Sequence, residues 1–155
     1  MASQGTQQHL RLRDAMTTIA ATRKTIASDS LISDGFSSFR SGSKIHEISG
    51  GYVGYARDVH SCLRLVQWLK KPKSAKPEFS ETDIATALVL KSGLLYYVDT
   101  TCILICIADD FAAIGSGASA ALAAMHCGRS PSEAVKIASL VDMNSGLPVI
   151  EKRLI

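Results

Sequence analysis

The feature that most constrains this chain is a change of period near residue 57, repeated further on. Before it, short runs of small and β-branched residues come in pairs split by turns; after it, an amphipathic helical repeat sets in. Thr18 to Thr22 and Thr25 to Asp29 flank Arg23-Lys24, and Lys44 to Ile48 and Tyr52 to Ala56 flank Ser49-Gly50-Gly51, so two hairpins are expected. Between them Ser33-Asp34-Gly35 reads as a turn and Phe36 to Arg40 as a short strand. Val59, Cys62, Leu63, Val66, Trp68 and Leu69 predict a helix over Asp58 to Lys70. Ser80-Glu81-Thr82-Asp83 resembles a helix N-cap and predicts a second helix through Lys91, stopped by Gly93. Strands follow at Leu94 to Val98, Cys102 to Ala108 and Phe111 to Ile114. Gly115-Ser116-Gly117 then opens an Ala-rich helix ending near Cys127, and Ser130-Pro131-Ser132-Glu133 opens another. A last strand is expected from Leu147 to Leu154. Strands and helices that alternate in groups rather than one by one predict an α+β chain, with antiparallel sheets covered by helical layers.

Composition narrows the functions. At 155 residues with 46% hydrophobic and 20% charged side chains, the chain can bury a core and suits one domain. A formal charge of +3 is too mild to imply nucleic acid. The lysines of 70–77 (KKPKSAKP) lack interleaved aromatics and read as a solvated loop. No apolar run approaches a membrane span, the longest being Cys102 to Ala108, and residues 1–15 lack the apolar stretch of a secretion signal. A cytoplasmic location is the expectation, with neither a membrane nor a nucleic acid as partner. Cys62, Cys102, Cys106 and Cys127 sit among apolar residues and read as buried, reduced thiols. With His126 they match no common zinc spacing, so no metal is expected, and no other cofactor is implied.

Singly, the polar motifs carry little. Gly115-Ser116-Gly117 lacks the third glycine of a dinucleotide fingerprint and the lysine of a phosphate loop, and reads as a close helix start. Asp29 and Lys44, taken alone, are ordinary surface charges near strand ends. Asp142-Met143-Asn144-Ser145-Gly146 reads as a polar helix exit.

In order along the chain they carry more. Thr17-Thr18-Ile19-Ala20, Ala27-Ser28-Asp29-Ser30 and Ser43-Lys44-Ile45-His46-Glu47-Ile48 resemble the opening of proteasome β-type subunits and of the bacterial HslV protease. Gly54-Tyr55-Ala56 resembles that family's Gly-x-Ala entry into its first helix, and Ala113-Ile114-Gly115-Ser116-Gly117 its strand-to-helix segment. Asp142-x-x-Ser145-Gly146 resembles its Asp-x-x-Ser-Gly motif. The resemblance spans Thr17 to about Leu154. It implies an N-terminal-nucleophile (Ntn) hydrolase fold, a four-layer αββα sandwich of two stacked antiparallel sheets between helix layers. Residues 1–16 would then be a leader, propeptide or extension, and 17–155 the single domain.

The implied activity is that of a threonine-type endopeptidase. Thr17 would carry both the nucleophilic Oγ and, once residues 1–16 are gone, the α-amine as base. Lys44 would stabilise the developing alkoxide, Asp29 would orient Lys44, and Ser116, Asp142 and Ser145 would complete the polar shell about the amine. The backbone N–H at Arg57 would be the oxyanion donor, and Ile32, Gly42, Tyr55 and Val59 an apolar substrate pocket. A polypeptide substrate, a homo-oligomeric ring and an ATP-dependent unfoldase partner are implied by the same resemblance. The chain departs from it at Arg57-Asp58, where the family has Gly-Gly, and at Met16, where self-processing members have Gly. Two rival readings share the fold: an inactive assembly scaffold and an amidohydrolase of small amides.

Overall fold

The computed structural model describes residues 17–33 and 37–155; the expected leader at 1–16 and the turn residues Asp34 and Gly35, with Phe36, lie outside them. Strands β1 (Thr18–Thr22) and β2 (Thr25–Ser28) form the first hairpin, and β3 (Leu31–Ser33) and β4 (Ser38–Arg40) a small two-stranded ribbon. Strands β5 (Ile45–Ile48) and β6 (Gly51–Arg57) form the next hairpin, followed by helix α1 (Val59–Lys70). Then come β7 (Ala85–Lys91), β8 (Leu94–Asp99), β9 (Ile105–Ile107) and β10 (Phe111–Gly115). Helices α2 (Ala118–His126) and α3 (Pro131–Val141) precede the last strand, β11 (Ile150–Arg153).

The strands make two main sheets, ordered β10-β1-β2-β11 and β5-β6-β7-β8-β9, with antiparallel neighbours throughout. Side-chain alternation then builds three cores. Ile19, Ala21 and Ile26 of the first sheet meet Ile45, Leu88, Leu90 and Leu95 of the second. On the outer face of the first sheet, Ala20 and Ala27 lie under Ala121, Ala124, Met125, Ala134, Val135 and Ala138 of α2 and α3. On the outer face of the second, Val53, Tyr55, Ala87 and Val89 lie under Cys62, Leu65, Val66 and Leu69 of α1. The result is the αββα order of layers.

Local chemistry sets the helix ends. Asp58 caps α1, its carboxylate accepting from the Ser61 N–H at 2.9 Å. Ser130 and Glu133 form a reciprocal capping box on α3, with Pro131 in the tolerated first position. Two glycines beside the start of β1 leave no room for a side chain. A Cβ on Gly115 would lie 1.7 Å from the Thr17 carbonyl oxygen, and one on Gly117 would lie 1.9 Å from Thr18 Oγ1. The Gly-Ser-Gly segment thus lets the start of α2 sit directly against the start of β1.

One predicted element is wrong. Residues 85–91 form a central strand, not a helix, so one helix rather than two follows the second hairpin. The apparent cap is a turn in which the Asp83 carboxylate accepts from the Ser80 N–H at 2.8 Å and from its hydroxyl. Because β7 is covered on both faces, its Ala-Leu-Val-Leu run shows no alternation to mark it as a strand. Gly93, with φ +77, turns β7 into β8 instead of ending a helix. The thiols divide as well. Cys62 and Cys102 are buried, whereas Cys106 and Cys127 are exposed, contrary to expectation, and all four are free. Cys102 lies before β9 in a left-handed turn conformation, so it does not share a strand face with Cys106. No helix among the described residues is long and apolar enough to cross a membrane.

Candidate active site

The start of β1, the end of β2 and the start of β5 meet at one edge of the two sheets, and the polar residues there are buried. Asp29 and Lys44, ordinary surface charges when read alone, are both fully buried. An unpaired charge there would cost several kcal/mol, so each must find partners. Asp29 Oδ1 accepts from the Thr18 N–H at 3.1 Å and from Lys44 Nζ at 2.9 Å. Its Oδ2 accepts from the Leu31 N–H at 3.1 Å and the Gly146 N–H at 3.0 Å. Lys44 Nζ spends its remaining hydrogens on Thr17 Oγ1 at 2.8 Å and the Leu31 carbonyl at 2.6 Å. Three ammonium hydrogens thus meet three acceptors. Burial pulls the Lys44 pKa below the ordinary lysine value, against the opposing charge and hydrogen bond of Asp29.

A second cluster comes from the far end of the chain. Past the C-terminus of α3, Asp142 Oδ2 accepts from Ser116 Oγ at 2.5 Å and from Ser145 Oγ at 2.6 Å, while Oδ1 accepts from the Asn144 N–H at 3.2 Å. Burial raises the Asp142 pKa, but the hydroxyls of Ser116 and Ser145 and the bonds from Asn144 outweigh it, so the net direction is down. Ser145 Oγ lies 2.7 Å from Thr18 Oγ1, which joins the two clusters. Lys44 therefore touches both Thr17 and Asp29, and Ser116, Asp142 and Ser145 form a neighbouring set that reaches the first through Thr18. Thr17 itself is fully buried.

The other predicted residues come from separate elements around this edge, and the Tyr55 N–H donates to the Lys44 carbonyl at 3.3 Å. Arg57 ends β6 with an exposed side chain and a left-handed backbone, φ +97. Glycine adopts that conformation without strain; for other residues it costs roughly 1–2 kcal/mol. Ile32 is buried on β3, and Gly42 is exposed in the loop before β5. Tyr55 is buried in the α1-side core, stacked on His46 with ring centroids 5.8 Å apart, and Val59 packs against the same core.

Three contributors were not anticipated. Thr18 has a signal in the sequence, a second hydroxyl residue in the same motif as Thr17. The Gly146 N–H belongs to the Asp-x-x-Ser-Gly segment. The Leu31 carbonyl leaves no side-chain signature in any sequence. Among the described residues no group of three or more His, Cys, Asp and Glu is placed to hold a metal ion.

No protein-family model and no curated protein matches the sequence. Solved structures do match. Eukaryotic HslV from Trypanosoma brucei aligns with a TM-score of 0.69 at 20% identity, over 88% of this chain and 98% of that one. Thiobacillus denitrificans BPH aligns with a TM-score of 0.68 at 19% identity, over 90% of this chain and 98% of that one. The same protein in complex with epoxomicin aligns with a TM-score of 0.59 at 20% identity, over 90% and 98%. The chain therefore has the fold of HslV, a sandwich of two antiparallel sheets between helix layers.

Proposed function

We propose that this chain is a threonine-type endopeptidase of the HslV and proteasome β kind, acting through Thr17 when Thr17 is its first residue. The observation that carries the reading is the 2.8 Å contact of a fully buried lysine with the Thr17 hydroxyl, at the start of β1 of an HslV-like fold. A lysine is a costly thing to bury, and here its reach ends on a threonine oxygen.

In this reading the Thr17 α-amine, with a reference pKa near ~7.7–8.0, takes the Oγ proton as Oγ attacks a peptide carbonyl. The tetrahedral oxyanion accepts from the backbone N–H of Arg57, a donor that does not depend on the side chain; losing one such donor typically slows acyl transfer by about 10²–10³. The amine then gives its proton to the leaving nitrogen, the C–N bond breaks, and an ester on Thr17 remains. Water, deprotonated by the same amine, hydrolyses the ester and restores Oγ–H. Lys44 serves this sequence as a fixed positive charge beside Oγ. Two of its three partners, the Asp29 carboxylate and the Leu31 carbonyl, can only accept. If Lys44 loses a proton, its lone pair is therefore left facing Thr17 Oγ.

The base is absent while the Thr17 nitrogen is an amide, so release of residues 1–16 switches the activity on. Asp29, Ser116, Asp142 and Ser145 hold the two reacting groups in place. Ile32, Gly42, Tyr55 and Val59 stay the proposed lining beside the scissile bond. A polypeptide substrate, a homo-oligomeric ring and an ATP-dependent unfoldase complete the reading by analogy with HslV. The test is covalent. A chain beginning at Thr17 is expected to gain one equivalent of epoxomicin by intact mass, while Thr17→Ala gains none. An unmodified Thr17 chain sinks the reading.

A further inference from the structure

We infer that Thr18 is a positioning residue for the proposed reaction, its hydroxyl donating to Ser145 and holding Ser145 Oγ in place as an acceptor for the Thr17 α-amine. The inference rests on the peptidase reading and adds a residue to it. It begins with hydrogens. Three contacts join four side chains: Ser116 Oγ to Asp142 Oδ2, Ser145 Oγ to Asp142 Oδ2, and Thr18 Oγ1 to Ser145 Oγ. Three hydroxyl hydrogens are available, and an ionised carboxylate supplies none. Ser116 and Ser145 must both donate to Asp142. Ser145 then has no hydrogen left for Thr18, so in that contact Thr18 is the donor.

The direction of the chain is now determined: Thr18 to Ser145 to Asp142, with Ser116 entering from the other side. One lone pair of Ser145 receives the Thr18 hydrogen, and the other can only accept. In the inferred arrangement an α-amine N–H of residue 17 donates to that second lone pair, which leaves the nitrogen lone pair free for the Oγ proton.

Thr18 is held for this task by every polar group it has. Its N–H donates to Asp29 Oδ1 at 3.1 Å, and its carbonyl accepts from the Asp29 N–H at 3.2 Å. The side chain is fully buried, and its Oγ1 occupies the space that a Cβ on Gly117 would fill, 1.9 Å away. Backbone, rotamer space and hydrogen bond all converge on one orientation.

The experiment compares Thr18→Ser, which keeps the hydroxyl, with Thr18→Ala, which does not; both lack the methyl. Each chain is confirmed by intact mass to begin at Thr17. The epoxomicin modification rate is followed over about pH 6 to 9, spanning the α-amine range, with kcat and KM taken on labelled, unfolded casein. Removing a donor makes Ser145 a better acceptor for the ammonium, so the amine pKa rises. Thr18→Ala is therefore expected to move the acid limb up by roughly half a pH unit and to lower kcat about tenfold with KM unchanged. Thr18→Ser should keep the limb in place and stay within about threefold of wild type. Ala and Ser behaving alike, or an unshifted limb in Ala, overturns the inference while leaving the peptidase reading intact. A wild-type chain that epoxomicin does not modify overturns both. Should Thr18→Ala fail to fold, Thr18→Cys, a weak donor of similar size, replaces it with the same shift expected, and a Cys variant matching Ser overturns the inference.

Discussion

Two carboxylates sit near the Thr17-Thr18 pair, and their surroundings differ. Asp29 is fully buried and faces the Lys44 ammonium at 2.9 Å, with three backbone N–H groups completing its shell. Asp142 is partly open to water and is solvated by two serine hydroxyls and a backbone N–H. Lys44 and Asp142 both have lowered pKa values, yet the two shifts mean different things. For Lys44 burial penalises the charged form. For Asp142 the hydroxyl donors outweigh burial and favour the charged form. The first centre is a buried ion pair that only its own completeness makes tolerable. The second is a stable anion that orients hydroxyls.

The largest expected effect comes from breaking the first centre. Lys44→Met leaves Asp29 buried without a cation and is expected to cost about 3–5 kcal/mol of stability. Losing the positive charge beside Thr17 Oγ should also slow epoxomicin modification by on the order of 10³. A urea midpoint near that of wild type would show that the pair is not the brittle element. Next in size is Gly117→Ala, whose new Cβ collides with Thr18 Oγ1 and should cost about 1–3 kcal/mol. Most of that penalty should vanish in a Thr18→Ala background, with a coupling of about 1 kcal/mol or more in a double-mutant cycle. Additive effects would deny that these two residues compete for one space.

Asp142→Asn should be milder, about 1 kcal/mol, because partial exposure to water limits what the charge contributes. Its pH signature carries a definite sign. Asp142 has a lower pKa folded than unfolded, so its contribution is present above about pH 4 and is lost as pH falls through the folded value. The wild-type chain should therefore lose stability below about pH 4 more steeply than Asp142→Asn; parallel curves would contradict the assignment. The smallest effect has the opposite sign. Arg57→Gly removes left-handed strain of roughly 1–2 kcal/mol, offset by glycine's extra unfolded-state freedom of about 0.5–1 kcal/mol. A net gain of about 0.5 kcal/mol is expected, with the modification rate preserved if the proposed donor is the backbone N–H. A lost reaction would move the role from the Arg57 backbone to its side chain.

The two centres also differ in how far they could be read from sequence. Both hairpins, α1, α2 and α3 announce themselves through turn residues, a 3.6-residue period and capping residues such as Asp58, Ser130 and Glu133. Strand β7 does not, because burial on both faces removes the alternation that distinguishes a strand, and the turn at Ser80 to Asp83 imitates a cap. Asp29 and Lys44 carry no local sign of being buried: whether a charge is inside depends on what two sheets and a distant loop bring to it. The family resemblance gathered them before any geometry did. Thr18 is hard to tell apart in the sequence because the neighbouring threonine accounts for the motif, and the Leu31 carbonyl has no sequence signal because every residue has one. Cys106 and Cys127 are exposed despite their apolar company, because apolar neighbours in sequence need not be neighbours in space.

Intact mass after incubation with epoxomicin tests the central claim most directly. A chain beginning at Thr17 should gain a single inhibitor, localised to Thr17, with no gain in Thr17→Ala or in the chain that still carries residues 1–16. A folded Thr17 chain whose mass does not change, or a Thr17→Ala chain that is modified all the same, would contradict it.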